Sequence, residues 1–146
     1  MIVGERILEV SGNKAPNANI SGLSINISLE DVAKASDGNL EITYAYNVNY
    51  ETGVGTMKIK GVLIAKEDDS LSKSVLDTWN SSKKLPDDYA TMILSAVNYS
   101  GSANGTLVAR VLGLTAPLIP PRIQLSKSAP APSAKAAPAS AKGRNK

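Results

Sequence analysis

Residues 40–65, LEITYAYNVNYETGVGTMKIKGVLIA, decide how this chain folds. Leu40, Ile42, Tyr44, Tyr46, Val48 and Tyr50 alternate with Glu41, Thr43, Ala45, Asn47 and Asn49, the two-residue period of a strand with one buried face. The glycine-containing ETGVG closes a hairpin, and Met57, Ile59, Leu63 and Ala65 carry the alternation back. The other face of the returning strand holds Lys58 and Lys60, then Val62 and Ile64. Its end is apolar on both sides and calls for a cover: the following helix, a second subunit or a bound chain.

Upstream, Leu23, Ile25, Ile27 and Leu29 alternate with Ser24, Asn26, Ser28 and Glu30 to give another strand, and the apolar ERILEV near the start gives a short one. SGNKAPNAN between them reads as a loop from its Gly, Pro and Asn content. Downstream the period changes. EDDSLSKSVLDTWNSSKK opens on acids and a capping Ser and places Leu71, Val75 and Trp79 four residues apart, which predicts a short helix with Trp79 as a packing anchor.

A longer helix is predicted from Pro86 to Leu112. Tyr89, Ile93 and Val97 share one side at about 100° per residue, and Leu107, Val108 and Val111 return to it beyond the linker-like SGSANG of residues 100–105. Preserved phase argues for one helix with a waist of small residues, against the alternative of a kink at Gly101. Gly101 and Gly105 each cost such a helix about 1 kcal/mol relative to Ala. A close backbone approach by another segment is expected to offset that, with Asn104 placed to hydrogen bond across the contact. Gly113 ends the helix, and LTAPLIPPRIQL leaves in extended form because of its prolines.

At 146 residues the chain is expected to hold one domain. It has no Cys and no His, which removes disulfides, thiolate chemistry, the commonest general base and the commonest metal ligand. The paired carboxylates Asp68, Asp69 and Asp87, Asp88 are explained as helix-start acids, and TGVGTMK lies in a hairpin, where a phosphate-binding loop does not belong. No enzyme activity, cofactor or metal is expected. Charged residues within the first ten argue against a signal peptide, and no apolar run approaches the roughly 20 residues of a membrane span, so the expected location is cytoplasmic. Residues 126–146 carry five bases and no acid, against eleven bases and thirteen acids in residues 1–125. That tail, rich in Ala, Pro, Ser and Lys, is expected to be disordered. Its bases allow weak, salt-sensitive contact with nucleic acid or another anionic surface.

The predicted class is therefore α+β: a four-stranded antiparallel sheet, a short helix, a long helix, and a tail. In this order of elements, in LEITYAYNVNY with its return TMKIKGVLIAKE, and in LGLTAPLIPPRIQL, residues 1–125 resemble the SecB-type protein-export chaperones, especially their archaeal SecB-like branch. The resemblance implies a homo-oligomer, dimer or tetramer, that holds unfolded polypeptide in apolar grooves without ATP. Carried onto this chain, it implies an assembly contact at Ser100, Gly101, Asn104 and Gly105, and a polypeptide-binding lining of Tyr44, Tyr46, Val62 and Ile64. The chain departs from that family in having no Phe and only 4% aromatic residues. An accessory protein of a ribosome or other ribonucleoprotein, tethered by the basic tail, is the alternative.

Overall fold

The computed structural model describes residues 1–16, 19 and 22–118. The four-stranded antiparallel sheet is formed by β1 (Ile2–Lys14), β2 (Leu23–Lys34), β3 (Leu40–Tyr50) and β4 (Gly55–Ala65). Across the sheet the order is β1-β4-β3-β2, so the central hairpin is flanked by the two earlier strands. Helices α1 (Asp69–Ser82) and α2 (Asp87–Leu112) follow. The expected tail, residues 126–146, lies outside the described residues.

β1 is much longer than ERILEV. It runs on through Ser11 to Lys14 because each residue finds a partner on β4, from Ser11 opposite Lys58 to Lys14 opposite Gly55. Gly12 lies close under α2 in this strand: a Cβ there would stand 2.7 Å from Leu112 Cδ1 and 3.3 Å from the Thr56 carbonyl oxygen. Pairing and close approach of α2 outweigh the loop-like local composition. Bulges interrupt β1 between Ile7 and Glu9 and β2 between Leu29 and Asp31, and each shifts the facing of the residues beyond it.

One face of the sheet forms the core. Leu40, Ile42, Tyr44, Tyr46, Val48 and Tyr50 of β3 lie beside Met57, Ile59 and Leu63 of β4, all buried, under Val75 and Trp79 of α1 and Ile93 and Val97 of α2. Full burial of such side chains contributes about 1.5–3 kcal/mol each. The helix termini follow local chemistry. The Asp68 carboxylate accepts a 2.8 Å hydrogen bond from the Leu71 amide, and Gly113 closes α2 in the left-handed region at φ 64°. Asp68→Ala is expected to cost about 1 kcal/mol in denaturant unfolding, with Asp68→Ser retaining most of the cap. α2 is a single helix through residues 100–105.

The opposite face carries no helix among the described residues. Val62 is nevertheless only 5% exposed. Arg6 lies opposite it on β1, and the Arg6 guanidinium reaches Glu41 Oε1 on β3 at 2.6 Å, so this side chain crosses over β4. A second pair, Lys60 to Glu30 at 2.5 Å, crosses β3 above Ala45. Exposed pairs of this kind contribute about 0–1 kcal/mol as charges; their aliphatic stems also exclude water from the apolar spots beneath.

Candidate functional site

The expected site residues do not form one cluster. Tyr44 and Tyr46 are fully buried on the helix-covered face, whereas Val62 and the half-buried Ile64 lie on the other face. The alternation of β3 and β4 dictates this separation, because Tyr44 pairs with Gly61 and Thr43 with Val62. The two tyrosines therefore line no open groove together with Val62 and Ile64.

Ser100, Gly101, Asn104 and Gly105 are brought together on α2, but toward the chain's own sheet. A Cβ on Gly101 would stand 2.6 Å from Tyr46 Cε2 and closer still to other ring atoms, and one on Gly105 would stand 2.7 Å from Pro117 Cγ. The waist that was expected to receive a second chain receives Tyr46 and Pro117 of the same chain. Ser100 Oγ donates to Glu5 Oε2 at 2.7 Å, and Asn104 Nδ2 donates back to the Ser100 hydroxyl at 3.1 Å and its carbonyl at 3.0 Å. The Tyr44 hydroxyl donates to the other Glu5 oxygen. Glu5 thus ties edge strand β1 to both β3 and α2.

Burial lifts the phenol pKa values of Tyr44, Tyr46 and Tyr50, and for Tyr44 the Glu5 carboxylate adds to it. Tyr89, buried without a hydrogen-bond partner, is pushed up to about 12 by burial and secondarily by the charge of Glu67. The folded state keeps these phenols neutral after the unfolded chain has begun to ionise. Their contribution is complete below about pH 10 and is lost as pH rises through the folded values. Thermal melts are expected to superpose between pH 7 and 9 and to fall progressively above pH 10.

Two concave or apolar features remain. Glu67, Leu71, Pro86, Asp88, Tyr89 and Met92 line an open cavity of about 370 Å³ between the starts of the two helices. Its Glu67 is already paired with the Met1 ammonium. The second feature runs along β1. Leu107 and Val111 stand on the same side of α2 as Tyr89 and Ile93 by helical phase. At the start of the helix that row is buried, but Leu107 is 64% and Val111 87% exposed. The reason is position. Ser100 meets Glu5 and the last turns of α2 lie over Gly12, so the C-terminal half of the row overhangs β1, where the sheet ends. β1 itself exposes Ile7, Leu8 and Val10, and among the described residues its outer edge has no strand partner. Sequence pattern placed Leu107 and Val111 on the side of Tyr89, Ile93 and Val97; periodicity marks an apolar row without telling where the surface under it stops.

Among the described residues there is no cluster of acidic side chains, Cys or His suited to a metal ion, and no helix long and apolar enough to cross a membrane. Comparison with protein-family models, with curated proteins and with solved structures finds no significant match.

Proposed function

We propose that this protein binds unfolded or nascent polypeptide reversibly and without ATP, in the cytoplasm, as do the SecB-type chaperones its sequence resembles, with preprotein export as the process served. The observation that carries this reading is the uncovered continuation of the α2 apolar row, Leu107 and Val111, beside the exposed Ile7, Leu8 and Val10 of an unpaired edge strand. Such a surface recognises exposed apolar segments without reading their sequence.

The free edge also suits a second copy. The bulge after Ile7 leaves Arg6, opposite Val62, and Glu9, opposite Lys60, on the same face of the sheet. Antiparallel pairing of two β1 strands centred between Ile7 and Leu8 then sets Arg6 of each subunit against Glu9 of the partner subunit, an opposite-charge cross-strand pair. A dimer built in this way joins the two apolar rows into one groove, floored by β1 and walled by the two α2 helices. The polypeptide-binding side chains in this reading are Ile7, Val10, Leu107 and Val111, and assembly uses the β1 edge.

The test is fluorescence anisotropy of a labelled, permanently unfolded polypeptide, titrated with the full chain and with a chain ending at Leu125, at low and high salt. Saturable binding that survives truncation and salt supports the proposal. Binding lost with the tail or with salt refutes it and favours the ribonucleoprotein reading, which rests on the five bases and no acids of residues 126–146.

A further inference from the structure

Away from β1, the chain already holds a peptide segment of its own. After the left-handed Gly113, residues Leu114 to Leu118 return along the helix-covered face of the sheet. The Tyr50 hydroxyl donates to the Thr115 carbonyl at 2.5 Å, and the Tyr46 hydroxyl lies 3.5 Å from the Pro117 carbonyl. A tight turn, Leu118 amide to Ala116 carbonyl at 2.8 Å, pushes the Pro117 ring inward. The ring is fully buried, seated against Gly105 and near Met57. The side chains of Thr115 and Leu118 point away and are exposed.

This is recognition by backbone and shape. Two phenol hydroxyls of one strand face, four residues apart, contact carbonyls two residues apart, and a glycine in the helix leaves a seat that fits a proline ring. Nothing in these contacts requires the particular side chains at 115 or 118. Leu114 is anchored in the core, and its amide donates to the Ala109 carbonyl at 2.8 Å; beyond it the resident segment is held by the two tyrosine contacts and the Pro117 ring, whereas the seat belongs to β3, β4 and α2.

We infer that the Tyr46–Tyr50–Gly105 surface is a binding site for a proline-containing apolar segment of another polypeptide, and that Thr115–Leu118 is its resident occupant, replaced when such a segment arrives while Leu114 stays in the core. The site is separate from the β1 groove and does not depend on it. Occupancy by the resident lowers the apparent affinity for any incoming segment by the fraction of time the seat is empty, so loosening the resident must strengthen binding.

The probe is a labelled peptide, Gly-Leu-Thr-Ala-Pro-Leu, copying residues 113–118, titrated into the full-length protein by anisotropy. Pro117→Ser in the protein is expected to tighten peptide binding about tenfold by weakening the competitor. Adding Gly105→Ala, which fills the proline seat, is expected to abolish the gain, and a peptide with Ser in place of its Pro is expected to bind Pro117→Ser no more tightly than the parent chain. Added to Pro117→Ser, Leu107→Asp with Val111→Asp is expected to leave that tenfold gain in place, which separates this site from the proposed groove. A natively folded Pro117→Ser protein with no gain overturns the inference. As a measurement free of any variant, the isotopically labelled wild-type chain titrated with millimolar peptide is expected to show amide shifts at Thr115–Leu118 and Tyr50. Shifts confined to β1 and the end of α2 overturn it too.

Discussion

Gly101→Ala is expected to destabilise the protein by about 2 kcal/mol, although the same change in an exposed helix stabilises it by about 1 kcal/mol. The reversal comes from Tyr46. This ring is fully buried beneath α2, and a methyl at 101 would overlap it, at 2.6 Å from Cε2. The ring cannot swing aside, because its strand is paired on both sides and its hydroxyl lies between Ser102 Oγ at 3.3 Å and the Pro117 carbonyl. Relief requires α2 to rise off the sheet, which loosens the contacts of Ile93 and Val97 as well. Overpacking of this kind costs about 1–3 kcal/mol or somewhat more, which exceeds the helix-propensity gain. Gly105→Ala meets a ring at the end of the exit segment and is expected to lose less, about 1 kcal/mol. Denaturant unfolding monitored at Trp79 measures both. A stabilised Gly101→Ala protein would show that the waist is not a packing device.

That contrast marks what the sequence allowed to be read. Helical phase across residues 100–105 identified one continuous α2, and the cost of two helix-interior glycines correctly demanded a close neighbour. Phase does not say which neighbour. Tyr46 and Pro117 are 55 and more than ten residues removed from Gly101 along the chain, in opposite directions, and only the order β1-β4-β3-β2 with α2 laid across it brings them there. The same limit applies to Tyr44 and Tyr46 against Val62 and Ile64. Alternation predicted each face correctly, but the helices cover the tyrosine face, and the Val62 face is roofed by Arg6, a residue with no sequence mark of that role. The extension of β1 to Lys14 was hidden by loop-like residues whose partners are supplied by β4. Long-range pairing, absent from any local window, decided each of these points.

Leu107→Asp combined with Val111→Asp is expected to weaken binding of an unfolded polypeptide about thirtyfold, equivalent to about 2 kcal/mol, while moving folding stability by no more than about 0.5 kcal/mol. The separation follows from exposure. Both side chains are mostly free of contact in the folded chain, so the fold loses little when they change. A bound client would cover them, and burying a Leu or Val side chain contributes about 1.5–3 kcal/mol when complete; partial cover of two, together with the cost of desolvating two new carboxylates, gives the expected loss. Thr91→Asp with Ser95→Asp, also on exposed α2 positions but turned away from β1, adds the same charge and is expected to leave binding within about twofold, at high as well as low salt. If Leu107→Asp with Val111→Asp binds like the parent chain, the overhanging row is not the client surface, whatever else the protein binds. If it binds less but also sediments as a smaller species, the row contributes to assembly, and β1 pairing must then be tested by Glu9→Arg. That reversal sets like charges against Arg6 of the partner subunit and is expected to separate the subunits, with the Glu5 tie to Tyr44 and Ser100 retained.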